Sequence, residues 1–246
     1  MLEIKDVRVS SDSKEIVRGI NLKIKPGEIN ILMGPNASGK STLSLALAGH
    51  PNYKITSGKI ILDKKDITNL NPDKRAKRGL FLGMQYPISV PGVSVVNFLR
   101  SSYQSVKNKK AAPKEFIGVL DRKLQSFKFN ESLLEREVNE GFSGGEKKKF
   151  EILQLELLKP KYAILDEPDS GLDIDALSVV ATKIKQAAKA GTGILLITHY
   201  QRILKYLPID CVHVLFDGRL IESGGQKLAQ EIENKGYKSL VKQYGK

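Results

Sequence analysis

A chain of 246 residues with 41% apolar residues is long enough to bury one large α/β core, with or without an inserted lobe. No apolar run approaches bilayer length and no basic-then-apolar leader opens the chain, so a cytoplasmic protein without membrane insertion is expected. A single cysteine, Cys211, excludes an internal disulfide and any metal or cluster site made of the chain's own thiolates. The net charge of +13 fits either nucleic-acid contact or a lysine-rich solvated surface. The lysines are scattered and accompanied by no helix-turn-helix, zinc-finger or RNA-binding aromatic motif, which favours the solvated surface.

Residues 1–33 read as strands. Leu2, Ile4, Val7 and Val9 lie in a first extended run, and Ile16, Val17, Ile20, Leu22 and Ile24 in a second. Pro26-Gly27 turns the chain into a short apolar strand over 28–33. Next stands Gly34-Pro35-Asn36-Ala37-Ser38-Gly39-Lys40-Ser41, followed by Thr42 and a helix-forming stretch that stops at Gly49. This is G-x-x-x-x-G-K-[ST] in the strand–loop–helix context that a phosphate-binding loop requires. Glycines let successive backbone N–H groups and the helix N-terminus point at phosphate oxygens. Lys40 can then reach the β- and γ-phosphates, and the Ser41 hydroxyl can ligate Mg²⁺.

Residues 57–62 predict a short strand closing at a turn over 63–66, and 79–85 a strand buried on both faces. Pro87 and Pro91 make 86–92 a loop, and 94–137 reads as helical with no strand signal, hence an inserted helical lobe. A helix is expected from Glu146 to Leu158, where Pro160 ends it. Residues 162–167 predict a buried strand ending in two acids, 175–190 a helix and 193–199 a strand. Asp217-Gly218 predicts a hairpin between strands at 212–216 and 219–221, and 226–240 a helical tail. Cys211, in a strand-like setting, reads as a small buried hydrophobe. Strands alternating with helices predict a mainly parallel sheet whose ligands sit at the strand C-termini. Lys40, Gln85, Asp166 and His199 each lie just beyond an apolar strand and can converge on one crevice.

Two further motifs carry chemistry. Asp166-Glu167 follows four apolar residues, so Asp166 can hold Mg²⁺ and Glu167 can polarise an attacking water. Gly141-Phe142-Ser143-Gly144-Gly145-Glu146 sets two glycines and a serine before a helix, a second phosphate-grade N-terminus. One nucleotide has no use for two such cradles from one subunit. Ser143, Gly144 and Gly145 are therefore expected to serve the nucleotide of a second copy, in a dimer with ATP in the interface.

Residues 34–41, Gln85, Ser143-Gly144-Gly145, Asp166-Glu167, Ser170-Gly171-Leu172-Asp173 and His199 stand in the chain order of ABC ATPases, and the chain resembles that family over nearly its whole length. The resemblance implies the P-loop NTPase ABC-ATPase fold: α/β, a mainly parallel core sheet, an N-terminal antiparallel β subdomain and an inserted helical subdomain. It implies one domain over 1–246, with a catalytic core from 1–85 and 160–246 and a helical subdomain over 86–159. It also implies ATP and Mg²⁺ as cofactors and a transient ATP-dependent homodimer. Glu167 would be the general base, His199 a γ-phosphate contact, and Lys40 part of the catalytic set. Residues 34–42, Gln85 and Ser143 to Gly145 would bind nucleotide, and Ser41, Gln85 and Asp166 the metal.

Finer matches resemble SufC, the ATPase subfamily of the Suf iron–sulfur assembly system. They are Gln85-Tyr86-Pro87, Pro91-Gly92-Val93, the signature Gly141-Phe142-Ser143-Gly144-Gly145-Glu146 with Lys147-Lys148, residues 169–177, residues 198–204 and Gly236-Tyr237. The resemblance implies a scaffold partner of the SufB/SufD type, docked on the helical lobe near the Gln85 loop. A lone cysteine is consistent, since a cluster needs several thiolates and must sit on the partner. The rival is the nucleotide-binding subunit of a membrane transporter; a nucleic-acid-associated ATPase is favoured by charge alone. A GTPase is disfavoured by the absence of an Asn/Thr-Lys-x-Asp motif. Residues 10–16 lack the aromatic that many relatives stack on adenine, so Ile16 or a neighbour is expected there. Ala37 stands where glycine is usual, which matters only if φ is positive, and Lys149-Phe150 follows the signature where Arg is commoner. Lys148 is a candidate to pair with Glu167 in the resting monomer; the alternative is three solvated lysines.

Overall fold

Two long strands open the chain in the computed structural model, which describes residues 1–108, 112–129, 131–199, 201–237 and 240. β1 (Leu2–Ser11) and β2 (Lys14–Ile24) turn at Asp12 and Ser13, both left-handed, and bury Leu2, Ile4, Val9, Ile20, Leu22 and Ile24 by alternation. β3 (Ile29–Met33) is buried throughout and runs through the glycine-rich loop into α1 (Lys40–Ala48), which ends at Gly49. β4 (Lys54–Leu62) is longer than the expected strand and pairs with the two-residue β5 (Lys65–Asp66). α2 (Pro72–Arg78) carries no apolar periodicity, so hydrophobic pattern does not reveal it. Buried Arg75 anchors it by donating to the carbonyls of Leu70, Ala46, Leu47 and Thr68.

β6 (Leu80–Gly83) corrects the expectation of a strand buried on both faces. Among the described residues it is an edge strand with a neighbour on one side only, so Phe81 and Leu82 stay partly exposed. β7 (Val90–Ser94), α3 (Val95–Lys107), α4 (Pro113–Ser126) and β8 (Glu137–Val138) follow. The pairing of β7 with β8 corrects both the loop over 86–92 and the strand-free reading of 94–137. Pro91 is tolerated because a two-stranded ribbon leaves free edges where a missing N–H costs nothing. α5 (Gly144–Leu158) starts two residues before the expected Glu146, because Ser143 caps it. The Ser143 hydroxyl accepts from the Glu146 amide at 3.2 Å, and the Ser143 amide donates to the Glu146 carboxylate at 2.8 Å.

β9 (Tyr162–Asp166), α6 (Ile174–Lys189), β10 (Gly193–Ile197) and the short α7 (Gln201–Leu204) complete the middle of the chain. β11 (Cys211–Phe216) and β12 (Arg219–Gly224) form the expected hairpin, with Asp217 and Gly218 at φ 44° and 74°. Cys211 is only half-buried, because it heads its strand. α8 (Gln226–Lys235) is shorter than the helix expected over 226–240: Gly236, at φ 65°, ends it by donating to the Ile232 carbonyl at 2.8 Å. Of the rest of that span, 238 and 239 lie outside the described residues.

Among the described residues the main sheet runs β12-β11-β3-β10-β9-β6, parallel except for β12, and an antiparallel sheet runs β2-β1-β4-β5. One apolar core lies between the main sheet and the helices, with Phe150, Leu153, Ile184 and Phe127 at its centre. A second fills the space between the two sheets around Leu43, Ala46 and Leu47 of α1. Parallel pairing places Ile197 beside both Leu32 and Asp166, so the ends of β3, β9 and β10 share one edge. No helix among the described residues is long and apolar enough to cross a membrane.

One polar cluster interrupts this packing. His213 on β11 lies 2.7 Å from the Ser223 hydroxyl and 3.1 Å from the Asn30 carboxamide oxygen. Burial pushes its pKa down to about 4, so the fold holds it neutral while the unfolded chain takes up a proton below about pH 6.5. Its contribution to stability is complete above that pH and is lost as pH falls towards 4. His213→Gln should therefore flatten the stability loss between pH 7 and pH 4.5 by roughly 2–3 kcal/mol. Urea unfolding at the two pH values checks this; equal slopes for variant and wild type would sink it.

Candidate active site

The C-terminal edge of the parallel sheet opens into a cleft of about 570 Å³, a volume suited to a small-molecule ligand. Asn36, Ala37, Ser38, Gly39, Lys40, Ser41 and Thr42 form its floor. Gly34 and Pro35 lie beneath, where each carbonyl accepts from Lys40 Nζ at 2.9 Å. Burial pushes the Lys40 pKa down to about 8, although Glu167 and Asp166 pull it upward. Two neutral carbonyls compete weakly for an ammonium against anionic oxygens, so Lys40 is free to turn to a phosphate. Gly34 is required by crowding: a Cβ there would lie 2.1 Å from the Leu215 carbonyl oxygen and 2.8 Å from Ser38 Oγ.

Ala37 does adopt the left-handed conformation, at φ 62°, which costs a residue with a Cβ about 1–2 kcal/mol. Ala37→Gly relieves that strain but adds chain entropy to the unfolded state. A net gain of about 0.5–1 kcal/mol in chemical denaturation is expected; a loss would show that the alanine methyl makes a compensating contact.

The acids and the histidine stand opposite the loop. Ser41 Oγ is 3.5 Å from the Gln85 side-chain oxygen. Asp166 Oδ2 accepts from Ser44 Oγ at 2.9 Å, while Oδ1 is buried with no hydrogen-bond partner among the described residues. Burial raises the Asp166 pKa, against the Ser44 and Ser41 hydroxyls that favour its ionised form. An orphaned carboxylate oxygen beside a hydroxyl and a carboxamide is a donor set that suits a hard cation such as Mg²⁺. No cluster of three His, Cys, Asp or Glu able to hold a metal occurs among the described residues, so most other ligands would be hydroxyl, amide, water or phosphate oxygens.

Glu167 sits at φ 50° and donates its amide to the Ile197 carbonyl at 2.8 Å, which turns its side chain into the cleft. Its Oε1 lies 3.3 Å from His199 Nε2. Burial, then the Lys40 charge, holds the His199 pKa below its usual value, so a neutral imidazole faces the carboxylate at pH 7. Behind them, Thr198 Oγ1 donates to Asp169 at 2.9 Å, and burial raises the Asp169 pKa to about 6.

The cleft thus brings together Lys40, Ser41, Gln85, Glu167 and His199, with Asp166 directly behind Ser44. Ile16 lines it too, along with Lys14, Glu15, Arg18, Asp217 and Gly218, which sequence reasoning did not single out. The hairpin turn closes over the loop, Gly218 donating to the Ser38 carbonyl at 3.0 Å and accepting from the Arg18 amide at 2.8 Å. Only the adjacency of β11 and β3 reveals this, and strand order is not a local signal. Ser143, Gly144 and Gly145 do not line the cleft of their own chain.

Lys148 requires a correction. It does not pair with Glu167, nor is it solvated. Nζ donates to the carbonyls of Met84, at 2.6 Å, and Gln85, at 2.9 Å. Glu167 is left to His199, because α5 presents Lys148 to the backbone at the end of β9, towards the carbonyl of Asp166 at 3.4 Å.

The family described as ABC transporter matches residues 17–170, more than half of the chain. A probable ABC transporter ATP-binding protein of Streptococcus pyogenes is 48% identical over 247 residues, covering 100% of this chain and 96% of its own. A probable ATP-dependent transporter, ycf16, of Cyanophora paradoxa is 48% identical over 241 residues, covering 96% of this chain and 93% of its own. A solved ATP-binding subunit of an ABC transporter shares the fold with a TM-score of 0.82 at 24% identity, over 100% of both chains. With the phosphate-binding loop, Glu167 and His199 joined in one cleft, and the family matched over more than half of the chain, the chain belongs to the ABC transporter family as an ATP-binding subunit and is an ATPase.

Proposed function

We propose that this chain hydrolyses ATP with Glu167 as general base, His199 as γ-phosphate contact and Lys40 as the cation on the β- and γ-phosphates. The carrying observation is the Glu167–His199 pair at 3.3 Å in the same cleft as Lys40. In this reading residues 34–42 cradle the phosphates, Ile16 lies against adenine, and Ser41, Gln85 and Asp166 hold Mg²⁺, directly or through water. The bound cation supplies positive charge to the β- and γ-phosphate oxygens. Glu167 takes the proton of the attacking water, and the imidazole of His199 keeps that carboxylate aimed into the cleft.

Ser143, Gly144 and Gly145 stand at the N-terminal end of α5, outside their own cleft, which supports a homodimer closing with ATP between signature and P-loop. Residues 86–159 would act as a helical subdomain that moves in this closure. The client is proposed to be a SufB/SufD-type scaffold in iron–sulfur cluster assembly, acting in the cytoplasm. Large apolar side chains beside Gln85, Tyr86 at 79% and Ile88 at 66% exposure, support a protein partner at this loop. The names of the relatives favour a second reading, in which the client is a membrane transporter.

A pull-down from native lysate with the Glu167→Gln protein, ATP and Mg²⁺ tests the client. Recovery of a soluble, cysteine-bearing, β-rich scaffold supports cluster assembly. Recovery of a multi-span membrane protein replaces that assignment with transport and leaves the ATPase chemistry in place.

A further inference from the structure

Lys148 and Glu151 are 4% and 7% exposed, one turn apart on α5 and 3.4 Å from each other. Neither lines the nucleotide cleft. A buried ion pair adds little net stability over apolar residues of the same size, so its role is sought in what it holds. Glu151 Oε1 accepts from the Met84 amide at 2.6 Å. Lys148 donates to the carbonyls of Met84 and Gln85, and more distantly to that of Asp166. The pair therefore grips Met84 through both its N–H and its C=O, and Gln85 through its C=O. From that grip the Gln85 side chain extends to Ser41, 3.5 Å away. The same helix begins at the Ser143 cap, five residues before Lys148. A helix moves as a rigid rod over such a length, so a shift at Ser143 carries Lys148 and Glu151 with it.

We propose that Lys148 and Glu151 are positioning residues, a two-sided clasp that ties the place of the Gln85 carboxamide beside Ser41 to the place of the helix bearing Ser143, Gly144 and Gly145. The inference rests on the reading of Gln85 as part of the Mg²⁺ site.

The test compares the full-length chain with Glu151→Gln, Glu151→Leu, the double variant Lys148→Met/Glu151→Leu, and Gln85→Ala. The double variant leaves no unpaired buried ion and so retains its fold. Three readouts are taken: amide hydrogen exchange of the peptide containing Met84, the Mg²⁺ concentration for half-maximal hydrolysis, and nucleotide affinity without Mg²⁺. In Glu151→Leu and the double variant, exchange at Met84 should speed up and the Mg²⁺ requirement rise, each by about tenfold, as for a misplaced first-contact group. Metal-free nucleotide affinity should stay within about twofold, since the P-loop supplies it. Glu151→Gln keeps an acceptor for the Met84 amide and should retain protection. Unchanged exchange in the double variant overturns the clasp, as does a metal-free affinity that falls in step with turnover, the mark of general loss of structure. If Gln85→Ala leaves the Mg²⁺ requirement unchanged, the reading of Gln85 fails and the proposal with it. If Gln85→Ala raises the requirement and the double variant does not, only the clasp fails.

Discussion

Glu167→Gln should lower the turnover of ATP by about 10³-fold while nucleotide still binds, the loss typical of removing a positioned general base. Gln matches Glu in volume and can still lie against His199, so the cleft keeps its shape. What disappears is the carboxylate proposed to take a proton from water. The geometry around Glu167 argues for a functional role. A residue with a Cβ at φ 50° costs about 1–2 kcal/mol, and such strain persists where the surroundings over-determine it. Here the hydrogen bond from the Glu167 amide to the Ile197 carbonyl and the pairing of β9 with β10 do so. Single-turnover hydrolysis, set beside the affinity for a fluorescent ATP analogue, checks the expectation. Turnover within threefold of wild type would remove Glu167 from the mechanism and point to His199 as the base.

Gly34→Ala should destabilise the fold by about 3 kcal/mol, the upper end for overpacking a closed site, and abolish measurable ATP binding. The added methyl would stand 2.1 Å from the Leu215 carbonyl oxygen, in the backbone of a neighbouring strand of the core sheet. Backbone in a sheet interior does not yield as a side chain would, so the loop must lift instead. Lifting Gly34 also breaks its carbonyl's bond to Lys40 Nζ and the bond from its amide to the Tyr237 hydroxyl at 3.1 Å. Denaturant unfolding and nucleotide titration measure the two effects separately. A variant with wild-type stability would mean that β11 is free to move away from the loop.

These two residues were legible in the sequence for different reasons. Gly34 belongs to a contiguous motif flanked by an apolar strand and a helix, which local rules read directly. Glu167 follows an apolar run, and the parallel sheet implied by alternating elements places such strand ends together. Lys148 was misplaced because its partners lie 64 and 63 positions away, on a loop whose path no local pattern specifies. β7 and β8 were missed for the same reason: each is short, and only pairing over more than 40 residues makes them strands. α2 escaped because its anchor is an arginine bonded to carbonyls and not an apolar stripe.

What the chain by itself determined is what short-range physics governs: the phosphate loop, the strand and helix periods and the Asp-Gly hairpin. Tertiary structure alone decided the strand order that folds the 217–218 turn over the P-loop, the edge position of β6, and the Lys148–Glu151 grip beneath Gln85. Each of those depends on which distant backbone groups a buried donor or acceptor meets, and hydrogen-bond satisfaction inside a core is settled by packing the whole chain at once.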